Sequence, residues 1–284
     1  MKKRCRPLIG LLITTLLLTA LSGCGKVDGG LLRKTAGAID ALAELESGGY
    51  RREGYLTDAQ TLTQSAENWF CPAGGEVDWC SLTEVYKDDG TLQMESGVVR
   101  RGGVMYQRFS IDGAEADWRE SESPAPPTEM RFPKLELLTE AENYEFFRKE
   151  KDGSITFSYS PAGLEAFHVQ LVELVKEQIP TEFDEQYTEE QRVELEKQYA
   201  YMAATAEQTK VTAFSGVIIL DETGSIRSHE IRYSVEGPEL ESDGKGDWAT
   251  TGTKTMNMRF VTEVLAYTGA EAEQRLAELF AQLP

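Results

Sequence analysis

The stretch Val211–Glu236, VTAFSGVIILDETGSIRSHEIRYSVE, contains the clearest hairpin in this sequence. Two strand-like runs flank Asp221-Glu222-Thr223-Gly224, a segment rich in turn-forming residues. The pattern predicts two long antiparallel strands, at 211–220 and 225–236. It therefore favours a fold built on an antiparallel sheet.

The first half of the chain shows the same pattern of strand-like runs separated by turns, with shorter runs. Turn residues such as Asp88-Asp89-Gly90 and Arg101-Gly102-Gly103 separate short alternating runs. The predicted strands are 50–56, 61–70, 79–87, 91–100, 104–111 and 116–120. Before them, residues 31–46 carry apolar residues at spacings of three and four, which predicts an amphipathic helix closed by Gly48-Gly49. We expect a helix followed by an antiparallel meander.

Helical patterns dominate the middle of the chain, after a proline-rich connector at 121–133. The predicted elements are helices at 135–149, 161–178 and 188–208, a strand at 154–160, a polar turn at 237–246, a long strand at 248–267 that bends or bulges near Gly252, and a closing helix at 271–282. Because helices and strands do not alternate one for one, the order disfavours a parallel sheet. The expected class is α+β, as one domain over 31–284 with a helical insertion at about 134–208.

The first 24 residues have the layout of a secretory signal. A basic start at Lys2–Arg6 precedes an apolar run from Leu8 to Leu21, which is shorter than the ~20 residues that span a bilayer. The run ends in Leu21-Ser22-Gly23-Cys24, which resembles the bacterial lipoprotein signal. That resemblance implies a signal peptide at 1–23, lipid on Cys24 and a short tether at 24–30. The alternative is an ordinary signal with a chance cysteine at its end.

Acidic residues strongly outnumber basic ones in this chain. There are 48 Asp and Glu against 29 Lys and Arg, for a net charge of −19. Such a surface repels nucleic-acid backbones and anionic lipid head groups. We therefore expect no nucleic-acid partner, and a membrane attachment that comes from acyl chains on Cys24. The expected location is the outer face of a bacterial membrane, and a protein partner is left open.

Signals for catalysis, metals or nucleotides are weak. The two histidines, His168 and His229, have no second histidine nearby for a zinc site, and no nucleophile elbow is present. The acidic turns at 88–90 and 221–224 lack the EF-hand spacing. The sequence also contains no Walker motif and no dinucleotide-binding glycine motif. We expect structural or surface roles for both histidines, no cofactor and no enzymatic activity.

Two cysteines remain beyond Cys5 of the signal and the anchor Cys24. Cys71 and Cys80 flank a proline and two adjacent glycines that let the chain turn back. An exported protein resides where disulfides persist. We therefore predict a Cys71–Cys80 disulfide, worth about 2.5–3 kcal/mol in the loop-entropy model. A redox pair usually has Cys-x-x-Cys spacing, and a metal site needs more ligands than two thiols.

The order of elements resembles the LolA/LppX-like family of bacterial envelope proteins. Three segments carry the resemblance. They are Gly103-Val104-Met105-Tyr106-Gln107-Arg108, then Asp112-Gly113 with Trp118, and the late hairpin segment at 217–226. The resemblance implies a curved antiparallel sheet, a half-open barrel, with helices over its concave side. It also implies a hydrophobic ligand, such as a lipid, in that concavity. No binding residue of the family is carried over.

A ligand site of this kind needs a lid and walls, for which the sequence offers candidates. The lid candidates on helix 161–178 are Leu164, Phe167, Leu171 and Leu174, and the wall candidates are Val104, Tyr106, Val217, Ile219 and Phe260. The same residues suit an ordinary packed core, and periodicity does not separate the two. Two functions stay open: a lipoprotein that binds a lipid or other hydrophobic ligand, and an envelope interaction or sensor module with a filled core.

The lipid anchor yields the first prediction. Replacing Cys24 with Ser removes the proposed acylation site, so the protein should leave the membrane fraction. Fractionation followed by an alkaline wash measures this. A Cys24→Ser protein that still sediments with washed membranes would contradict the lipoprotein interpretation.

Overall fold

An antiparallel sheet organises the protein. The computed structural model describes residues 27–284 except 57–59, 115–116, 122–130, 134, 136, 178–187 and 243–247. The strands in this part of the chain are β1 (Gly48–Leu56), β2 (Thr61–Ala73), β3 (Glu76–Tyr86), β4 (Leu92–Arg101), β5 (Val104–Ile111), β6 (Arg119–Glu120), β7 (Tyr144–Lys149), β8 (Ile155–Tyr159), β9 (Lys210–Leu220), β10 (Ile226–Ser242) and β11 (Trp248–Ala266). They form one sheet in the order β6-β5-β4-β3-β2-β1-β11-β10-β9-β8-β7, with β6 and β7 at its open edges. The predicted α+β class with a curved, half-open antiparallel sheet is confirmed.

Four α-helices accompany the sheet in the described chain. They are α1 (Gly29–Ala43), α2 (Pro161–Glu177), α3 (Glu189–Gln208) and α4 (Gly269–Phe280). Asp28 caps α1, because its carboxylate accepts hydrogen bonds from the backbone N–H groups of Gly30 and Leu31 at 3.0 and 2.9 Å. Thr268 caps α4 in the same way through the N–H of Glu271. The predicted N-terminal and closing helices are thus present, with ends shifted by two or three residues.

The two faces of the sheet carry separate cores. The inner face, as we name it, is the one covered by α1, α2 and the side chains of Phe132, Leu135 and Leu138. It holds the larger cluster, which includes Phe70, Phe157 and Ile218. The outer face carries α4, whose Ala272, Leu276 and Leu279 are buried there. Alternation along each strand divides neighbouring residues between these faces.

The segment 134–208 is less helical than predicted. The expected helix at 135–149 is wrong: a short 3₁₀ turn at Ala141–Asn143 leads into strand β7. Tyr144 and Phe147 are buried on the inner face, and the segment pairs with β8. This pairing with a neighbouring strand overrides the local preference for helix. The segment therefore adds two strands to the sheet as well as two helices.

The late hairpin follows the prediction closely, but β10 is longer than expected. Asp221 closes the turn, because its carboxylate accepts hydrogen bonds from the N–H groups of Thr223 and Ser225. The register shifts between Glu239 and Leu240, opposite Gly252, which confirms an irregularity there. The polar turn was predicted to start at Gly237. That start is wrong, since β10 continues to Ser242.

The predicted Cys71–Cys80 disulfide is not formed, and both thiols are free. The β2–β3 register pairs Cys71 with Asp78 and Cys80 with Trp69, so the two cysteines share the outer face but lie diagonally. Diagonal neighbours are about 7–8 Å apart, whereas the Cα atoms of disulfides usually lie within about 6.8 Å. The Gly74-Gly75 turn thus sets a register that offsets the two sulfurs.

Free thiols in these environments should react unequally. Cys80 is fully buried, and burial raises its pKa to about 12. Cys71 is only half-buried, although partial burial and the nearby Glu273 and Asp78 carboxylates raise its pKa too. At pH 8, iodoacetamide should label Cys71 slowly in the native protein and Cys80 only after unfolding, because the thiolate is the nucleophile.

Mass mapping of labelled peptides measures this, and a Cys71→Ser variant should show no native labelling at Cys80. Failure of both residues to label in unreduced, unfolded protein would mean that the disulfide does form.

Candidate functional site

Aromatic side chains cross the inner face as a ladder with one ring per strand. The aromatic ladder consists of Phe147 on β7, Phe157 on β8, Phe214 on β9, Tyr233 on β10 and Phe260 on β11. Successive ring centroids lie 5.8, 6.2, 6.4 and 5.8 Å apart. Each such pair contributes about 0.5–1.5 kcal/mol beyond the area it buries. The ladder therefore ties five adjacent strands together.

Burial changes along the ladder. Phe147, Phe157 and Phe214 are at most 4% exposed, whereas Tyr233 and Phe260 are half-buried. Helices cover the β7–β9 end of the ladder, and the β11 end faces a more open part of the sheet. The inner face thus changes from packed core to accessible surface along one row of rings.

Helix α2, which carries the predicted lid residues, lies on the packed end of the aromatic ladder. Phe167 contacts Phe214 and Tyr159, with ring centroids 4.5 and 5.9 Å apart, and Leu164 packs on the same cluster. Leu171 is half-buried and Leu174 is 47% exposed. The first half of the predicted lid therefore belongs to the core, and its exposure increases toward its C-terminal end.

The predicted walls divide between the two faces. Phe260 lies on the inner face, in register with Gly54 and Ile231. The other four lie on the outer face, as the strand register shows. They are Val104, Tyr106, Val217 and Ile219. A shift of one residue moves a side chain to the opposite face, so their inner neighbours, Met105 and Ile218, take the positions expected of them. The prediction that these four residues line the inner side of the sheet is therefore wrong.

Beyond the ladder, the inner face exposes a set of apolar side chains that we name the open inner surface. Its members are Leu56, Val85, Met94, Phe109, Ile111, Met256 and Met258, together with Phe260 at the end of the ladder. Phe109 and Ile111 are 55% and 53% exposed, and Leu56 and Met256 are 43% and 40% exposed. Ile111, Met94 and Val85 stand in one register row across β5, β4 and β3. At the edge of the open inner surface, Phe109 and Ser96 line a cavity of about 760 Å³.

A polar row lies across the middle of the inner face. Register aligns Arg52 on β1 with Thr262 on β11 and His229 on β10. The Arg52 guanidinium stacks over the Phe260 ring at 4.8 Å, which extends the aromatic ladder by one strand. Burial, and to a lesser extent the Arg52 charge, lowers the pKa of His229 to about 4, so its imidazole is neutral at physiological pH.

The outer face of the same strands is charged and ion-paired. Arg51 binds Glu67 at 3.2 Å, and Arg275 of α4 reaches the same carboxylate at 3.3 Å. Burial raises the pKa of Glu67, but hydrogen bonds from Trp69 and Arg51 outweigh it and hold the pKa below its usual value. Glu230 similarly accepts hydrogen bonds from Arg232 and Arg259. The sheet therefore separates a charged exterior from a largely apolar interior.

Sequence reasoning missed the inner-face residues that matter most. Alternation counted from Tyr50 places Arg52 on the same face as a core residue, and that signal was available. The inward positions of Phe214 and Tyr233 follow equally from alternation once Ile218 is known to be buried. The sequence does not say which of the two faces is covered.

Other chemistry is sparse in the described ranges. No group of three or more His, Cys, Asp or Glu residues among them is placed to hold a metal ion. His168 lines a cleft of about 510 Å³ between α2 and β9, together with Glu165, Lys210 and Thr212. Among the helices described, none is both long and apolar enough to span a membrane. Cys24 and the signal segment lie outside the described residues.

Comparisons with other proteins do not assign the chain. No protein-family model matches it, and no curated protein matches it.

Close packing of the ladder predicts a sensitive position. A Cβ at Gly216 would lie 2.6 Å from the Phe157 ring and 2.7 Å from the Glu230 carbonyl oxygen. Gly216→Ala should therefore lower the free energy of unfolding by about 1–3 kcal/mol, as overpacked cores do. Gly37 in α1 has open space around it, so Gly37→Ala should stabilise by up to about 1 kcal/mol.

Urea denaturation of both variants measures the two effects. An unchanged unfolding midpoint for Gly216→Ala would show that the ring does not pack over this backbone.

Proposed function

We propose that this protein is a membrane-anchored extracytoplasmic lipoprotein that binds a lipid or other hydrophobic ligand on the inner face of its sheet. The ligand would lie between the open inner surface and the helices beside it, as the resemblance to LolA/LppX-like proteins implies. The acyl chains on Cys24 would hold the domain at the outer face of a membrane. No catalytic step is proposed.

The observation that carries this proposal is the open inner surface. Exposed patches of large apolar residues are unusual on monomeric proteins and mark binding sites. Here they share one face and adjoin a packed aromatic core, so the floor is held in place before a ligand arrives. The outer face of the same strands carries ion pairs. An apolar ligand would therefore bind to the inner face.

The described chain begins close to the sheet, three residues after the proposed anchor at Cys24. The tether at 24–30 is short, and Val27 already pairs with Phe147 of β7 in an isolated bridge. The domain would therefore stay within reach of membrane lipid. That proximity suits a protein that takes up or holds a membrane-derived molecule.

A second candidate is an envelope interaction module, and one feature of β5 favours it. In the described chain β6 pairs only with Tyr106 and Gln107, which leaves the backbone of β5 beyond them without a strand partner at this edge. Phe109 and Ile111 are exposed there. An edge of this kind is suited to pairing with a strand of another protein.

Titration with a neutral hydrophobic probe, N-phenyl-1-naphthylamine, tests the ligand proposal. A soluble version that begins at Gly25 should bind the probe with a rise in fluorescence. Phe260→Gln should weaken binding about tenfold, the equivalent of about 1.4 kcal/mol lost from an apolar contact. Val261→Gln is the matched control, since Val261 is also half-buried but lies on the outer face.

Thermal unfolding should confirm that both variants fold. Equal probe binding by wild type and Phe260→Gln, or no binding by wild type, would contradict the proposal and favour the interaction module.

A further inference from the structure

We infer that the polar row Arg52–Thr262–His229 receives the acidic head of an amphiphile whose apolar chain lies on the open inner surface. The head is a carboxylate or a phosphate, and the ligand class is an anionic lipid. This inference rests on the proposed function and names the chemistry of its ligand.

Arg52 supplies the charge. Its side chain is solvent-exposed on the inner face and stacks over the Phe260 ring. Among the described residues no carboxylate lies within ion-pair distance of it, although the chain contains 48 acidic residues. Its neighbour Arg51, on the outer face, contacts both Glu67 and Glu263. The inner guanidinium thus keeps its donors for a planar anion, to which arginine binds in a bidentate manner.

His229 supplies a polar partner that the protein itself does not satisfy. It is only 8% exposed, and both ring nitrogens are buried without a hydrogen-bond partner in the described chain. A buried polar group left without a partner costs about 1–3 kcal/mol. Both nitrogens are covered in this structure, so binding would have to uncover them. A neutral imidazole then provides one N–H donor and would add a hydrogen bond to the head group without a second charge.

The surrounding apolar surface determines the rest of the ligand. Phe260 and Ile231 form the register row beside the polar row. Tyr233, Met258 and Leu56 form the row beyond it, and Met256 continues the apolar surface from there. Methionine side chains adapt to irregular apolar partners. A small anion would leave this surface exposed, whereas a neutral lipid would leave Arg52 without an anionic partner. An anionic amphiphile would cover the apolar surface and also pair with Arg52.

Photo-crosslinking to the full chain tests the inference. The protein is placed in phosphatidylcholine nanodiscs and titrated with diazirine-bearing palmitic acid or with the fatty alcohol of the same length. Crosslinked peptides are mapped by mass spectrometry. Inner-face peptides of β1, β10 and β11 should be labelled, and Arg52→Gln should raise the half-maximal concentration of the acid about tenfold while leaving the alcohol unchanged.

Arg51→Gln is the matched control and should change neither titration, because Arg51 lies on the outer face. A second pair, diazirine-bearing phosphatidic acid and diacylglycerol, separates a phosphate head from a carboxylate head, and a loss on Arg52→Gln in either pair supports the inference. Unchanged titrations of both anionic probes in Arg52→Gln, or equal losses for the anionic and the neutral probe in both pairs, would overturn it while the proposed function stands. Absence of inner-face labelling by every probe would overturn both.

Discussion

Stacking of aromatic rings across adjacent strands is the constraint on which the rest of this structure depends. The ladder from Phe147 to Phe260 places one ring on each of five neighbouring strands. Rings of this size fit only where facing residues are small, which is why Gly216 lies beneath Phe157. Helix α2 is fixed to the same feature through Phe167. The ladder thereby joins the C-terminal hairpin, the middle strands and the covering helix in one core.

The same ladder explains why the inner face is half packed and half open. At β7–β9 the rings are covered, so that end contributes stability. At β11 they reach Arg52 and the open inner surface, where Phe109, Ile111 and Met256 stay exposed. For the proposed ligand, a rigid core beside an uncovered apolar floor would be a pre-organised site, which lowers the ordering cost of binding. Under the proposed function, ligand exchange would take place on the inner side, since the outer face of the same strands is charged.

Local signals in the sequence predicted much of this fold. Alternation and turn residues are short-range features, so the meander at 50–111 and the hairpin around Asp221 were predictable. Pairing of β7 with β8 depends on distant packing, and for that reason 135–149 was wrongly predicted as helix. The faces of Val104, Tyr106, Val217 and Ile219 were wrongly assigned as well. Alternation separates two faces but does not say which one α1 and Phe132 will cover. Phe167 and Phe260, by contrast, were placed correctly on the inner side.

Whether the inner face holds a hydrophobic molecule is the central question, and native mass spectrometry of the soluble protein, purified without detergent, answers it most directly. The account predicts a bound species that lipid extraction identifies, or one that appears after incubation with envelope lipids. It also predicts loss of that species when polar residues replace Phe260 and Met258. An unliganded mass that stays unchanged in the presence of those lipids would contradict the account.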